Sequence, residues 1–259
     1  MLSGIESRKG GVTMELLNRF NGESSREWAK RVLLENILHL VLPPGTPLSD
    51  KEIASFLSLS RTPVREALVL LEETGFVDVY PQKGTFVSLL DVDEIEEGRY
   101  IRKCLESDTL IQACRSFSAD GTIALEANLK MQGNAIENGD RKRFLFLDQD
   151  FHRLICSGCG RERVWSVIHR NSLHFFRVRR LKIKNSGIGQ GYYREQHGEL
   201  LEAILGHDAD RALDILNRHL TWDVEMVRAS YPEYFTRDSM SKKMYMFTSE
   251  VAPVVAGAL

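Results

Sequence analysis

Residues 43–87 read PPGTPLSDKEIASFLSLSRTPVREALVLLEETGFVDVYPQKGTFV. Pro43, Pro44 and Pro47 bar a helix at the start of the stretch. Ser49-x-x-Glu52 is a capping box that opens a short helix through Phe56. After a tight connection at Ser58-Leu59, Ser60 is placed to cap a further helix that tolerates Pro63 in its first turn. Val64, Ala67, Leu68 and Leu71 recur on that helix at the spacing of one buried face, and Gly75 ends it. FVDVY and TFVSLL then alternate apolar and polar residues around Pro81–Gly84, the pattern of a hairpin. Upstream, Ser24-x-x-Glu27 is another capping box, before a helical run from Trp28 to Val41. Helix, helix-turn-helix and hairpin in this order predict a winged helix-turn-helix over residues 24–90.

Around this unit the chain of 259 residues is long enough for a second domain. From Asp91 to about Ala229 there is no convincing strand, and helical periodicity predicts an all-helical bundle over residues 95–234. The fold class is therefore mainly α, with a loose arm over 1–23 and a tail over 235–259. With 34 basic and 36 acidic residues the net charge is -2, which excludes a uniformly basic nucleic-acid coat and makes any DNA contact local. No apolar run reaches the roughly 18–20 residues of a membrane span, and the N-terminus lacks the apolar centre of a signal peptide. Both point to a cytoplasmic protein without membrane contact. The four cysteines include one C-x-x-C, Cys156 and Cys159, which without a second pair reads as thiols at a helix end.

Arg61 and Arg65 lie four apart on the helix after the turn, off its apolar face. They suit bidentate contacts to guanine or phosphate from a helix in the major groove. Ser60 and Thr62 add hydroxyls, Lys51 a backbone contact, and Lys83 a cation at the hairpin tip. The stretch resembles the N-terminal domain of GntR-type transcriptional regulators, chiefly in SRTPVREAL…LE..G. The resemblance implies a double-stranded DNA operator as partner, with Ser60, Arg61 and Arg65 on the recognition helix and Gln82, Lys83 and Gly84 on the wing.

In the helical part, Asp148 and His152 stand one turn apart beside an apolar face. His197 and His219 sit at the centres of two further apolar stripes. Buried together, three imidazoles and a carboxylate call for a partner that pays back their lost hydration, and a divalent metal ion does so. Zn is the first choice, with Ni, Mn or Fe as alternatives. The FadR subfamily of these regulators, with its FCD effector domain, is resembled over residues 95–230 through Asp148–His152, HGELLEAI from His197 and ALDILNRHL ending at His219. That resemblance implies Asp148, His152, His197 and His219 as ligands, although Cys159-Gly160-Arg161 departs from the usual residues after the first ligand helix.

An octahedral ion held by four protein ligands has about two positions left for a small carboxylate effector. Arg102 is a candidate anion partner for it, or else a salt bridge to Glu106. The basic run Arg177–Lys184 reads as a solvated face, with Arg177 as the member that turns to the cavity. His39, His169, His174 and His207 receive no role. The function expected is a homodimeric, ligand-responsive regulator acting as a repressor. The alternatives are a metal-dependent hydrolase fused to a DNA-binding module and a regulator whose metal is purely structural.

Overall fold

The computed structural model describes residues 13–185, 189–221 and 223–236. Helix α1 (Ser25–Leu38) starts at the expected box, where Ser24 Oγ accepts from Glu27 N and the Glu27 carboxylate accepts from Ser24 N. It stops three residues earlier than expected. The N–H groups of Val41 and Leu42 both turn back to Asn36 O, and Leu40 takes a positive φ of 58°. No glycine or proline marks that reversal.

Helices α2 (Asp50–Leu57) and α3 (Arg61–Glu73) follow. Ser58, with φ 54°, makes the turn between them, and Gly75, with φ 77°, ends α3 as its lack of a Cβ permits. Ser60 occupies the N-cap of α3, but its side chain makes no capping hydrogen bond. The hairpin is β2 (Val77–Tyr80) and β3 (Gly84–Val87). A two-residue strand unforeseen in the sequence, β1 (Pro47–Leu48), pairs antiparallel with β3, giving the order β1-β3-β2. Proline is tolerated there because β1 is an edge strand.

The second part is helical: α4 (Val92–Arg115), α5 (Ala119–Glu137), α6 (Arg141–Gly158), α7 (Glu162–Asn171), α8 (Leu173–Asn185), α9 (Gln190–Leu205), α10 (Ala209–Leu220), α11 (Val224–Ser230) and a 3-10 turn at Pro232–Tyr234. No helix among the described residues is long and apolar enough to cross a membrane. Cys156 is buried in α6, where burial pushes its thiol up to about 12, and Cys159 caps that helix, as a helix-end pair should.

Two expectations need correction. Residues 13–23 are held rather than loose: Met14 is buried, Trp28 Nε1 donates to Leu17 O, and the buried Asn36 amide bonds both the N–H and the C=O of Glu15. A buried amide requires such partners, and the backbone of the arm supplies them. The basic run is not a solvated face either. Arg177, Arg179 and Lys182 are buried with Val178, Leu181 and Ile183, because α8 packs against α4, α7, α11 and, across the domain boundary, α1. The tail beyond Thr236 lies outside the described residues.

The two parts meet through specific contacts. Arg177 Nη2 donates to Ser88 O at 2.8 Å, and His174 stacks on Phe76 with ring centroids 4.7 Å apart. At the linker, Leu90 N donates to Tyr234 O and Thr236 N to Leu90 O, a short parallel bridge between Leu90 and Phe235.

Gly98 lets α4 press on the α7–α8 junction, where Ser172 Oγ donates to Gly98 O. A Cβ at this position would stand 2.6 Å from Asn171 O. Gly98→Ala is therefore expected to destabilise the protein by about 1–3 kcal/mol. Gly191→Ala, whose Cβ meets nothing within 4 Å, should be neutral or stabilising. Urea unfolding of both variants, followed by circular dichroism, measures the difference.

Candidate nucleic-acid interface and metal centre

The buried stripe Val64, Ala67, Leu68 and Leu71 docks α3 and turns its other side outward. Ser60, Arg61, Thr62 and Arg65 are exposed there, as are Lys51 on α2 and Gln82, Lys83 and Gly84 at the hairpin tip. Both arginines converge on one residue that sequence reading did not single out. Asp50 Oδ1 accepts from Arg61 Nη2 at 2.9 Å, and Oδ2 from Arg65 Nε at 2.5 Å. Burial pushes the Asp50 carboxyl up, but the hydrogen bonds from Arg65 and Arg61 outweigh it and hold it below the usual range. The two guanidinium groups are thus held side by side on an open surface.

In the helical part Asp148 and His152 from α6, His197 from α9 and His219 from α10 come together, all buried. One ligand atom from each lies within 4.8 Å of the others. The expected four are the four assembled. Their spacing in sequence suffices for this, because each lies on the inward stripe of its own helix.

What aims the rings was not foreseen. His152 Nδ1 faces Glu106 Oε2 at 2.9 Å, His197 Nδ1 faces Gln132 Oε1 at 2.9 Å, and His219 Nδ1 faces Gln196 Oε1 at 3.0 Å. A carboxylate only accepts, so His152 carries its proton on Nδ1. The His197 tautomer follows from a longer chain. Asn128 Nδ2 donates to Leu147 O, so Asn128 Oδ1 takes Gln132 Nε2, and Gln132 Oε1 is left to accept from His197. Arg179 Nη2 only donates and lies 3.3 Å from His219 Nε2, which places that ring's proton on Nδ1 as well, so the three Nε2 atoms present lone pairs to the centre. His152 Nε2 and His219 Nε2 stand 3.2 Å apart, and His197 Nε2 is 3.4 Å from Asp148 Oδ1. Lone pairs facing one another beside a carboxylate fit a divalent cation. The outward Nδ1 contacts are the orienting partners that metal-bound histidines have. Burial lowers the pKa of all three imidazoles, those of His197 and His219 well below 6.5, which keeps them in the neutral form a ligand needs.

Two arginines border the cluster. Arg102 Nε donates to Glu106 Oε1 at 2.6 Å, so the salt bridge considered for it exists. Its Nη1 and Nη2 are buried with no hydrogen-bond partner among the described residues. The guanidinium lies 5.6 Å from the ring centroids of Phe175 and Phe176, and a buried fork with donors left over favours an anion. Arg179, unforeseen, clamps both oxygens of Asp148. Burial alone would raise both carboxyls, yet Arg179 beside Asp148 and Arg102 with His152 beside Glu106 hold each at about 2. Arg177, expected at the cavity, points elsewhere. It bonds Ser88 O and faces His174 Nδ1 at 3.3 Å, because helical spacing places it on a different side of α8 from Arg179.

Comparisons with known proteins agree with this architecture. Residues 26–87 match the family described as bacterial regulatory proteins, gntR family, and residues 99–221 match the FCD domain. An HTH-type transcriptional regulator in an unstable DNA locus of Streptomyces ambofaciens is 32% identical over 222 residues, which cover 85% of this chain and 93% of that protein. The HTH-type transcriptional repressor RspR of Escherichia coli (strain K12) is 29% identical over 211 residues, covering 80% and 92%. Among solved structures, E. coli McbR/YncC superposes with a TM-score of 0.66 at 21% identity, covering 80% of this chain and 99% of that one. A GntR regulator from Rhodococcus sp. RHA1 gives 0.64 at 20%, covering 82% and 99%. At these identities the structures show a shared fold.

The buried titratable groups set a pH dependence. The imidazoles have folded pKa values below 6.5, and the two carboxyls sit at about 2, below the roughly 4 of an unfolded chain. In both cases the unfolded chain binds more protons on acidification, so stability is lost as pH falls. The melting temperature of chelator-treated protein should drop from about pH 6.5 downward through the imidazoles, and again below about pH 4 through the carboxyls. A melting temperature that stays level between pH 7 and pH 5 would contradict neutral buried histidines.

Proposed function

Because the chain belongs to the GntR family of bacterial regulatory proteins and carries an FCD domain, we propose that it is a homodimeric repressor whose operator affinity is set by a small carboxylate bound beside a divalent metal ion. The observation that carries this reading is the meeting of three unprotonated Nε2 atoms and the Asp148 carboxylate, with Arg102 joined to His152 through Glu106 and its Nη1 and Nη2 without a hydrogen-bond partner among the described residues. When bound, the ion supplies open coordination positions to an anionic oxygen. Asp148, His152, His197 and His219 hold it; Glu106, Gln132 and Gln196 keep the rings aimed; Arg102 takes the carboxylate.

At the other end, Arg61 and Arg65 read base edges. Asp50 preorients them, and on binding it exchanges both for guanine or phosphate. Ser60, Thr62 and Lys51 fix the helix on the phosphates, and Gln82, Lys83 and Gly84 bring the wing to an adjacent groove. Two such heads in a dimer face a two-fold operator. The repressor sense is supported by the name of the E. coli relative RspR.

A link between the ends exists in α8. It carries Arg179 at the cluster and Arg177 and His174 at Ser88 and Phe76 of the DNA-binding unit. An effector shifts the operator equilibrium only by binding one arrangement of the two domains better than the other.

Arg65→Ala is expected to weaken operator binding by about 1–3 kcal/mol while leaving the melting temperature in place; fluorescence anisotropy at physiological salt measures it. His197→Ala combined with His219→Ala should abolish metal uptake, read by elemental analysis after dialysis. Full metal content in that variant would refute the ligand set. A thermal-shift screen of hydroxy acids, sugar acids and dicarboxylates on metal-loaded protein tests the effector class, since a ligand of the folded state raises its melting temperature.

A further inference from the structure

Arg179 stands on the very atoms that a metal ion would use. Its Nη1 and Nη2 donate to Asp148 Oδ2 and Oδ1, and Nη2 also lies 3.3 Å from His219 Nε2. The guanidinium therefore engages two of the four ligand groups. A divalent ion on the same lone pairs repels it, and in a buried site that repulsion is poorly screened.

The charges around the cluster define what would have to come with an ion. Asp148 and Glu106 are offset by Arg179 and Arg102, each pair in direct contact. Adding a divalent cation would leave a buried excess of two positive charges on these four groups. A monoanion leaves part of that excess in place. A dianion cancels two charges, one at each guanidinium fork. Free donors are already present: Arg102 Nη1 and Nη2, Tyr193 Oη and Gln196 Nε2 are buried without a partner among the described residues. Tyr193 also supports the Arg179 guanidinium, which lies 4.9 Å from its ring centroid.

We propose that Arg179 is the second carboxylate clamp of the sensor: released from Asp148 and His219 by the metal ion, it takes one end of a small dicarboxylate whose other end binds Arg102. This rests on the reading of the helical domain as a metal-dependent carboxylate sensor and narrows its ligand to a diacid. It makes Arg179 a specificity-determining residue, and it makes metal loading a condition for diacid binding.

The test uses the full chain, metal-loaded and metal-free, with chain-matched probes: succinate against butyrate, and malate against lactate. Isothermal titration should show the diacids binding metal-loaded protein more tightly than the monoacids by roughly ten- to a hundredfold, the worth of one charge-assisted clamp. Arg179→Gln should bring diacid affinity down to that of the monoacids. By chelator competition, it should hold the metal at least as tightly as the parent, since a competing cation is gone. Arg179→Lys, which keeps the charge and loses the fork, should give an intermediate preference and serves if the glutamine variant fails to fold.

A diacid preference that survives in either variant undiminished would overturn the proposal. So would a tenfold or larger loss of metal affinity in Arg179→Gln, which would make Arg179 an orienting partner of Asp148 instead. Monoacids binding the parent as tightly as diacids would remove the role of Arg179 and leave the carboxylate sensor standing. No carboxylate binding at all would remove both.

Discussion

Three outward contacts, Glu106 to His152, Gln132 to His197 and Gln196 to His219, fix which nitrogen of each ring carries the proton, and the helical domain is organised by that requirement. The acceptors come from α4, α5 and α9, and the rings from α6, α9 and α10. Five helices must therefore hold their register for the lone pairs to meet. Buried networks of this kind gain little stability over apolar packing, and their cost is high when a member goes unpaired. The core would be more secure filled with leucine. Three neutral imidazoles between two carboxylates and two guanidinium groups are what the proposed metal and anion site requires.

Much of this was legible in the sequence, for identifiable reasons. The DNA-binding unit shows itself through local chemistry: a full capping box at Ser24, a one-sided Ser49 cap in place of the expected second box, a proline cluster, a four-residue apolar stripe and a hairpin. The four candidate ligands show themselves because a histidine at the centre of an apolar stripe has to face inward. Glu106, Gln132 and Gln196 do not, since a polar residue on a long helix looks the same in sequence whether it meets solvent or a histidine on another helix. Arg179 was hidden in a run of cations whose ordinary fate is solvation. Only the packing of α8 against helices on several sides, α1 among them, turns that run into buried charge. The early end of α1 at Leu38 was hidden for a different reason, because a leucine takes the left-handed turn with no glycine to announce it.

Asp50 stands to the DNA-reading arginines as Asp148 stands to Arg179. In each place a carboxylate holds a guanidinium for which a second destination is proposed. The pair at Asp50 is on the surface, where solvent weakens it and exchange with a phosphate or a base edge is easy. The pair at Asp148 is buried, so on the proposed reading it opens only to a cation of higher charge.

The bridge between Leu90 and Phe235 bears on how such a protein is taken apart or recombined. The last described segment of the chain returns to the linker and bonds it on both sides, so the junction between reader and sensor is made of residues about 145 positions apart in sequence. Severing the chain after Leu90 would strip the linker of its backbone partners and uncover Phe235. A chimera that joins a foreign reader at this junction would have to keep Leu90 together with Tyr234 and Thr236, because the boundary is a joint closed by both ends of the sensor.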